Sequence, residues 1–256
     1  MTRATYLVRQ LVLRDLRGRY TGSLLGFLWA FVHPLWQLLL FSLVFAVILR
    51  IPLVGERTSS FAAFLFAGIL PWLAFSEGVT RSATVIIDNG HLVKKMRFPS
   101  QVLVFSVVVS ALIHSGIAFA LFAVFQGWRR ELDPAHLAWL GVGLVGQLAL
   151  TVGAGLLVAA LQIYIRDVAH GLGLVLSALF YVTPIVYPIA LVPDRMRGAL
   201  EANPMTTVVG LYRSFLISGD VPSGLQVTAL LVWGVALVAL GAAVFRRLSP
   251  GFADEL

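Results

Sequence analysis

Apolar residues in this chain come in long blocks, and its polar residues gather between them. Between Arg19 and Arg50 the only titratable side chains are Tyr20 and His33. A helix that crosses the hydrocarbon core needs about 20 mostly apolar residues, so this first block predicts a span near 26–49. Further blocks predict spans near 61–86, 101–126, 137–163 and 225–245. A fifth block in chain order, near 169–184, is interrupted by Pro184, Pro188 and Pro193 before it runs into Asp194, Arg195 and Arg197. Proline removes a helical hydrogen bond and kinks or ends a helix. The pattern therefore predicts a short fifth span followed, over 182–197, by a hairpin that dips back into the membrane. Irregular backbone at that depth is tolerated only against protein or a water-filled cavity. The alternative for this segment is a kinked span end with a surface loop.

The predicted fold is an all-α, polytopic membrane protein of six transmembrane helices in a single domain covering 1–256. Composition agrees, since only 12% of residues are charged, about half the share in soluble domains. The net charge of +7 does not point to nucleic acid, because the basic residues sit at block ends rather than on one face of a soluble fold. Arg3, Arg9, Arg14, Arg17 and Arg19 precede the first block. With interspersed Leu, Val and Tyr they suit an amphipathic helix over 1–22, lying among anionic headgroups. A plain topology anchor is the simpler alternative. The long apolar run behind them and the lack of a small-residue cleavage site argue against a removed signal peptide. Lys and Arg fall mostly on the side of both termini, which predicts cytoplasmic termini.

Candidate chemistry is sparse. The chain has no cysteine, which excludes disulfides and thiolate sites, and it lacks the G-x-x-x-x-G-K-[ST] phosphate loop. His33, His91, His114, His136 and His170 show no ligand spacing. His114, mid-span, reads as a neutral histidine bonded to a neighbouring helix. Glu77 and Arg81, spaced i and i+4, suit a local ion pair better than an ion-coupling relay. Gly22, Gly26 and the small residues of the fourth block permit close helix approach without fixing any one interface.

Three segments together resemble one family. The first is Arg14-Asp15-Leu16-Arg17-Gly18-Arg19-Tyr20, followed by Ser23, Leu25-Gly26, Trp29 and Pro34. The second joins Gly68, Pro71, Trp72 and Phe75 to Asn89, Leu92, Lys94, Lys95, Arg97, Phe98 and Pro99. The third holds Arg166-Asp167, Phe180-Tyr181, Pro184, Tyr187-Pro188, Pro193, Arg197, Asn203-Pro204 and Arg213. In order and spacing they are similar to the permease subunits of bacterial ABC exporters for O-antigen, capsular polysaccharide and teichoic acid. The closing Phe252-Ala253-Asp254-Glu255-Leu256 looks like the tail of the O-antigen branch.

The resemblance implies a homodimer in the bacterial inner membrane, working with two copies of a cytoplasmic ATPase that bind the ATP and Mg. A lipid-linked polysaccharide would pass between the two permeases, from cytoplasm to periplasm. It also implies that Arg14, Asp15, Arg17, Arg19 and Tyr20 touch the ATPase. The 88–100 loop, with Asn89, Leu92, Lys94, Lys95, Arg97, Phe98 and Pro99, would be the coupling element; an ordinary positive-inside loop is the alternative. Pro184, Pro188 and Pro193 would shape a gate at the periplasmic exit. Aromatic rings offer a gliding polymer wide, non-directional contact, so Trp29, Trp36, Phe180, Tyr181 and Tyr187 are the candidate channel residues. The same residue types also gather at membrane interfaces. Other classes remain: an exporter of a drug or other lipid, an ATP-independent scramblase, or an embedded enzyme acting on lipid-linked sugars. The last would need a cluster of carboxylates, histidines or arginines at one face, and none stands out.

Overall fold

The computed structural model describes residues 3–18, 28–95 and 99–256. Among these the only regular structure is helical. Helix α1 (Arg3–Gly18) is followed by α2 (Trp29–Phe41), which continues as a π-helical segment, Ser42–Ile48. Next come α3 (Phe61–Asp88), the short α4 (Gly90–Lys95), α5 (Gln101–Trp128), α6 (Leu137–Tyr164) and α7 (Val168–Val182). After a 3-10 turn at Ile189–Leu191 the chain forms α8 (Asp194–Glu201), α9 (Pro204–Leu216), α10 (Gly224–Leu248) and α11 (Phe252–Glu255). Among the described residues four stretches are long and apolar enough to cross a membrane: Phe61–Asp88, Gln101–Trp128, Pro134–Tyr164 and Gly224–Glu255. Leu35–Ile48 and Val168–Val182 are shorter apolar helices.

Local chemistry sets the helix ends. Ser60 Oγ accepts from the Ala63 N–H at the start of α3, and Asn203 caps α9 with Pro204 in its first turn. Ser223 and Gln226 form a reciprocal capping box on α10, which satisfies two otherwise orphaned donors.

Helix α3 is the axis of the molecule. Helices α2, α5, α6, α7 and α9 all pack on it, and its side chains from Phe64 to Trp72 are buried without a break. Two hydrophobic clusters lie along it. One gathers Phe64, Ile69, Leu70 and Trp72 with Met205, Val208 and Leu211 of α9. The other joins Val85 and Ile86 to Val104, Leu156, Phe245 and Phe252, with Leu11, Val93 and Leu256 against its edge. Helix α10, by contrast, touches mainly α6 and leaves Leu225, Val232 and Val235 exposed. The α6–α10 crossing needs glycine: a Cβ at Gly153 would strike the Leu237–Val238 backbone, and one at Gly241 would strike the Gly153 carbonyl. The small residues of the fourth apolar block thus serve a helix crossing inside this chain.

Segment 182–197 contains Thr183–Pro188 in turns, the 3-10 turn and the first half of α8. The longer helix between α7 and α10 is α9, which lies beyond that segment.

Candidate functional site at the two ends of α3

At one end of α3 a polar cleft of 210 Å³ opens among Arg14, Asp15, Arg81, Thr84, Asp88 and Asn89. Leu11 and Val12 seat α1 against the bundle, which turns Asp15 inward. Its carboxylate accepts from Arg81 Nη1 at 2.8 Å and also from Arg81 Nη2 and Ser110 Oγ. A forked, charge-assisted pair is stronger than a neutral hydrogen bond in the same setting. The expected Glu77–Arg81 pair is present at 3.9 Å, but Asp15 is the partner that holds the guanidinium. Sequence reasoning missed this contact because 66 residues separate the two side chains along the chain.

Arg14 points the other way, and its Nη2 donates to Asn89 Oδ1 at 2.8 Å. Asn89 follows the last residue of α3 and donates through Nδ2 to the Val85 carbonyl. Its own carbonyl accepts from the Leu92 N–H, opening α4. Arg14 is therefore bonded to the residue at which α3 turns into α4. From the opposite side Leu256 lies against Gly90. Phe252 is buried beside Phe245, with ring centroids 5.2 Å apart. Arg17 and Lys94 are exposed, Leu92 is half-buried and Lys95 ends α4. Pro99 is exposed, and its carbonyl accepts from the Val102 N–H at the start of α5. Arg19, Tyr20, Arg97 and Phe98 lie outside the described residues.

The aromatic candidates differ in exposure. Trp29, Trp36 and Tyr181 are exposed, at 50%, 60% and 61%. Phe180 is not. It is buried against Phe41 of α2, centroids 5.6 Å apart, and Trp72 of α3, at 5.5 Å. Its bulk fastens α7 to α2 and α3, so it offers no open face to a ligand. Tyr187 is half-buried, and its hydroxyl donates to the Tyr181 carbonyl at 2.7 Å, folding the turn back over the end of α7. Pro184 and Pro188 are buried, whereas Pro193 is exposed just ahead of α8.

Two buried polar groups carried no role in the sequence. Gln147 of α6 donates to the Pro71 carbonyl at 3.0 Å and accepts from the Tyr212 hydroxyl at 2.6 Å, tying α6 to α3 and α9. A glutamine midway along an apolar block is the signal that could have revealed it. Arg213, part of the third motif segment, is buried at 7% exposure inside α9. Glu56, in the loop before α3, carries a carboxyl that burial raises above the usual range, with Arg213 pulling the opposite way.

Comparison with known proteins covers nearly the whole chain. Residues 6–217 match the family described as ABC-2 type transporter. An O-antigen export system permease protein RfbA from Myxococcus xanthus is 31% identical over 252 residues, spanning 98% of this chain and 95% of that protein. A protein of the same name from Klebsiella pneumoniae is 27% identical, covering 95% of this chain and 92% of its own length. The polysialic acid transport protein KpsM of Escherichia coli is 24% identical over 93% of this chain and 92% of its own.

Proposed function

Because this chain belongs to the ABC-2 type transporter family, we propose that it is the permease subunit of an exporter that moves a lipid-linked polysaccharide, of O-antigen or capsule type, out of the cytoplasm. The observation that carries this reading is the end-to-end correspondence with permeases named for O-antigen and polysialic acid export, on a chain built of long apolar helices.

In this reading the chain crosses the inner membrane six times. The π-extended α2 and the short α7 add two spans to the four longer stretches, and both termini are cytoplasmic. Two copies pair, and two copies of a separate ATPase bind ATP with Mg and act on α1 and α4. The bond from Arg14 to Asn89 supports a shared movement of these two elements, because displacing either strains the other. Arg17, Lys94, Lys95 and Arg97, with Arg19 and Tyr20, would meet the ATPase. Asp15 would act from within, by holding α1 on Arg81 and Ser110. Trp29, Trp36 and Tyr181 would face the glycan path, and Tyr187 with Pro184, Pro188 and Pro193 would shape its outer exit. The α7–α10 connection, α8 and α9 included, would re-enter the membrane from the periplasmic side.

The test is glycan flipping in a strain lacking the gene. Loss of the chain should leave lipid-linked polysaccharide on the cytoplasmic face, and restoring it together with its ATPase should return the glycan to the surface. In the purified complex the glycan should stimulate ATP hydrolysis. Stimulation by an unrelated lipid or drug, and not by the glycan, would move the assignment to another cargo. Nucleotide hydrolysis by the chain alone would refute it.

A further inference from the structure

We infer that Arg213 is a positioning residue that clamps the turn after α7 to α3, and so holds the outer exit of the proposed path shut. This inference deepens the export reading and rests on it for the word exit; the clamp itself is a statement about packing.

The guanidinium is surrounded by main chain. Nη1 donates to the Pro184 carbonyl at 2.8 Å, Nη2 to the Ile185 carbonyl at 2.8 Å and Nε to the Phe64 carbonyl at 3.3 Å. Its central carbon sits 3.5 Å from the centroid of the Phe64 ring, a favourable cation–π placement. One side chain from α9 therefore reaches two other pieces of the protein. They are the turn that begins at Thr183, where the backbone leaves the helix, and the first turn of α3.

Within the turn the Thr183 carbonyl takes the Ile185 N–H, whereas the Pro184 and Ile185 carbonyls take Arg213. Pro188 has no N–H to offer back, and Ile185 and Val186 are wholly buried, so water does not reach them. Arginine suits the position because its planar fork supplies several donors in fixed directions, whereas a lysine ammonium could not meet all three carbonyls while lying on the ring. The seat is also shaped from the α3 side. A Cβ at Gly68 would fall 2.9 Å from Nη2, so glycine is what leaves room for the guanidinium.

What the clamp holds in place follows from the neighbours. Asn203, which caps α9, donates to Thr183 Oγ1 at 2.9 Å, so α9 grips the same turn at a second point. Tyr187 then closes over Tyr181. Release of Arg213 would free the segment that carries Pro184, Tyr187 and Pro188, and with it the exposed face of Tyr181.

The test places a cysteine at Val186 in this otherwise cysteine-free chain and follows its reaction with a water-soluble maleimide. Opened membrane vesicles make both faces accessible. A second variant, A159C on α6, reports on a buried site in the other cluster. With Arg213 present both cysteines should react slowly. Arg213→Met should speed labelling at 186 by about tenfold or more, the factor expected from losing charge-assisted hydrogen bonds, with little change at 159. Arg213→Lys should fall between. Gly68→Ala, which leaves Arg213 in the chain but crowds its seat, should give the same pattern and remains informative if Arg213→Met fails to insert. Unchanged labelling at 186 in Gly68→Ala and in Arg213→Lys would overturn the clamp. Equal acceleration at 186 and 159 would also overturn it, by showing general loosening. The readout needs neither ATPase nor glycan, so failure of the export assignment would show in the flipping assay and leave this result standing.

Discussion

Two arginines lean on opposite ends of the same helix and are satisfied in different ways. Arg81 and Gly68, beside which Arg213 is seated, are 13 residues apart on α3, roughly 20 Å at the helical rise. Arg81 is partly exposed and meets a carboxylate that is itself partly exposed. Arg213 is buried, donates to carbonyls and lies over an aromatic ring. An ion pair in a wet cleft is modest in strength and easily exchanged for water. A buried guanidinium among carbonyls has no aqueous substitute close by, and its loss strands the acceptors. The α1 end is thus held by a contact that water and salt can weaken, and the α9 end by one that they reach far less.

The largest effect should come from Arg213→Met. Stranding the carbonyls of Pro184 and Ile185 should cost on the order of 3 kcal/mol, read as a clear drop in the thermal transition of the purified protein in lipid. Arg81→Met should cost less, about 1–2 kcal/mol, because water can reach Asp15. If the two variants lose equal stability, the contrast between a wet and a dry end is wrong. A double-mutant cycle of Asp15→Asn with Arg81→Met should then return a coupling energy of roughly 0.5–3 kcal/mol, whereas Arg81 paired with Arg213 should be additive.

Smaller still is Gln147→Leu, where loss of the links to Pro71 and Tyr212 should destabilise by about 0.6–1.7 kcal/mol, the range for interhelical hydrogen bonds in membranes. Asn89→Ala should scarcely change stability, below about 1 kcal/mol for so exposed a contact, yet lower the ATPase turnover that glycan stimulates. A wild-type response from Asn89→Ala would separate α1 from α4 in the transport cycle. Salt sharpens the same comparison. Raising ionic strength to about 1 M screens exposed charges, so amide exchange should quicken in α1 and stay unchanged at 183–187.

Helix positions were the most legible feature. The block expected near 61–86 is Phe61–Asp88, and that near 101–126 is Gln101–Trp128. Both follow from the length of mostly apolar sequence, which in the first of the two outweighs Glu77 and Arg81. The block near 169–184 is Val168–Val182, shortened because the chain leaves the helix at Thr183, just before Pro184. The resemblance put Arg14 on an interface helix and Asn89 in a coupling loop, and the structure bonds these two residues to each other. The resemblance could not say that Asp15 turns inward or that Phe180 and Arg213 are buried. Each depends on which face of a helix meets a distant neighbour, and apolar blocks with little amphipathic contrast do not encode a facing direction.

Taken by itself, then, the order of residues determined that these segments are helices, that they are apolar enough for lipid, and which exporter family they belong to. Those outcomes rest on local preference, on hydrophobic length and on short motifs, all of which are read along the chain. Tertiary structure decided the partners. Arg81 found Asp15 across 66 residues, Gln147 found Tyr212 across 65, and Arg213 found Phe64 across 149. A buried polar group must be satisfied, but which distant group satisfies it is settled only when the helices pack.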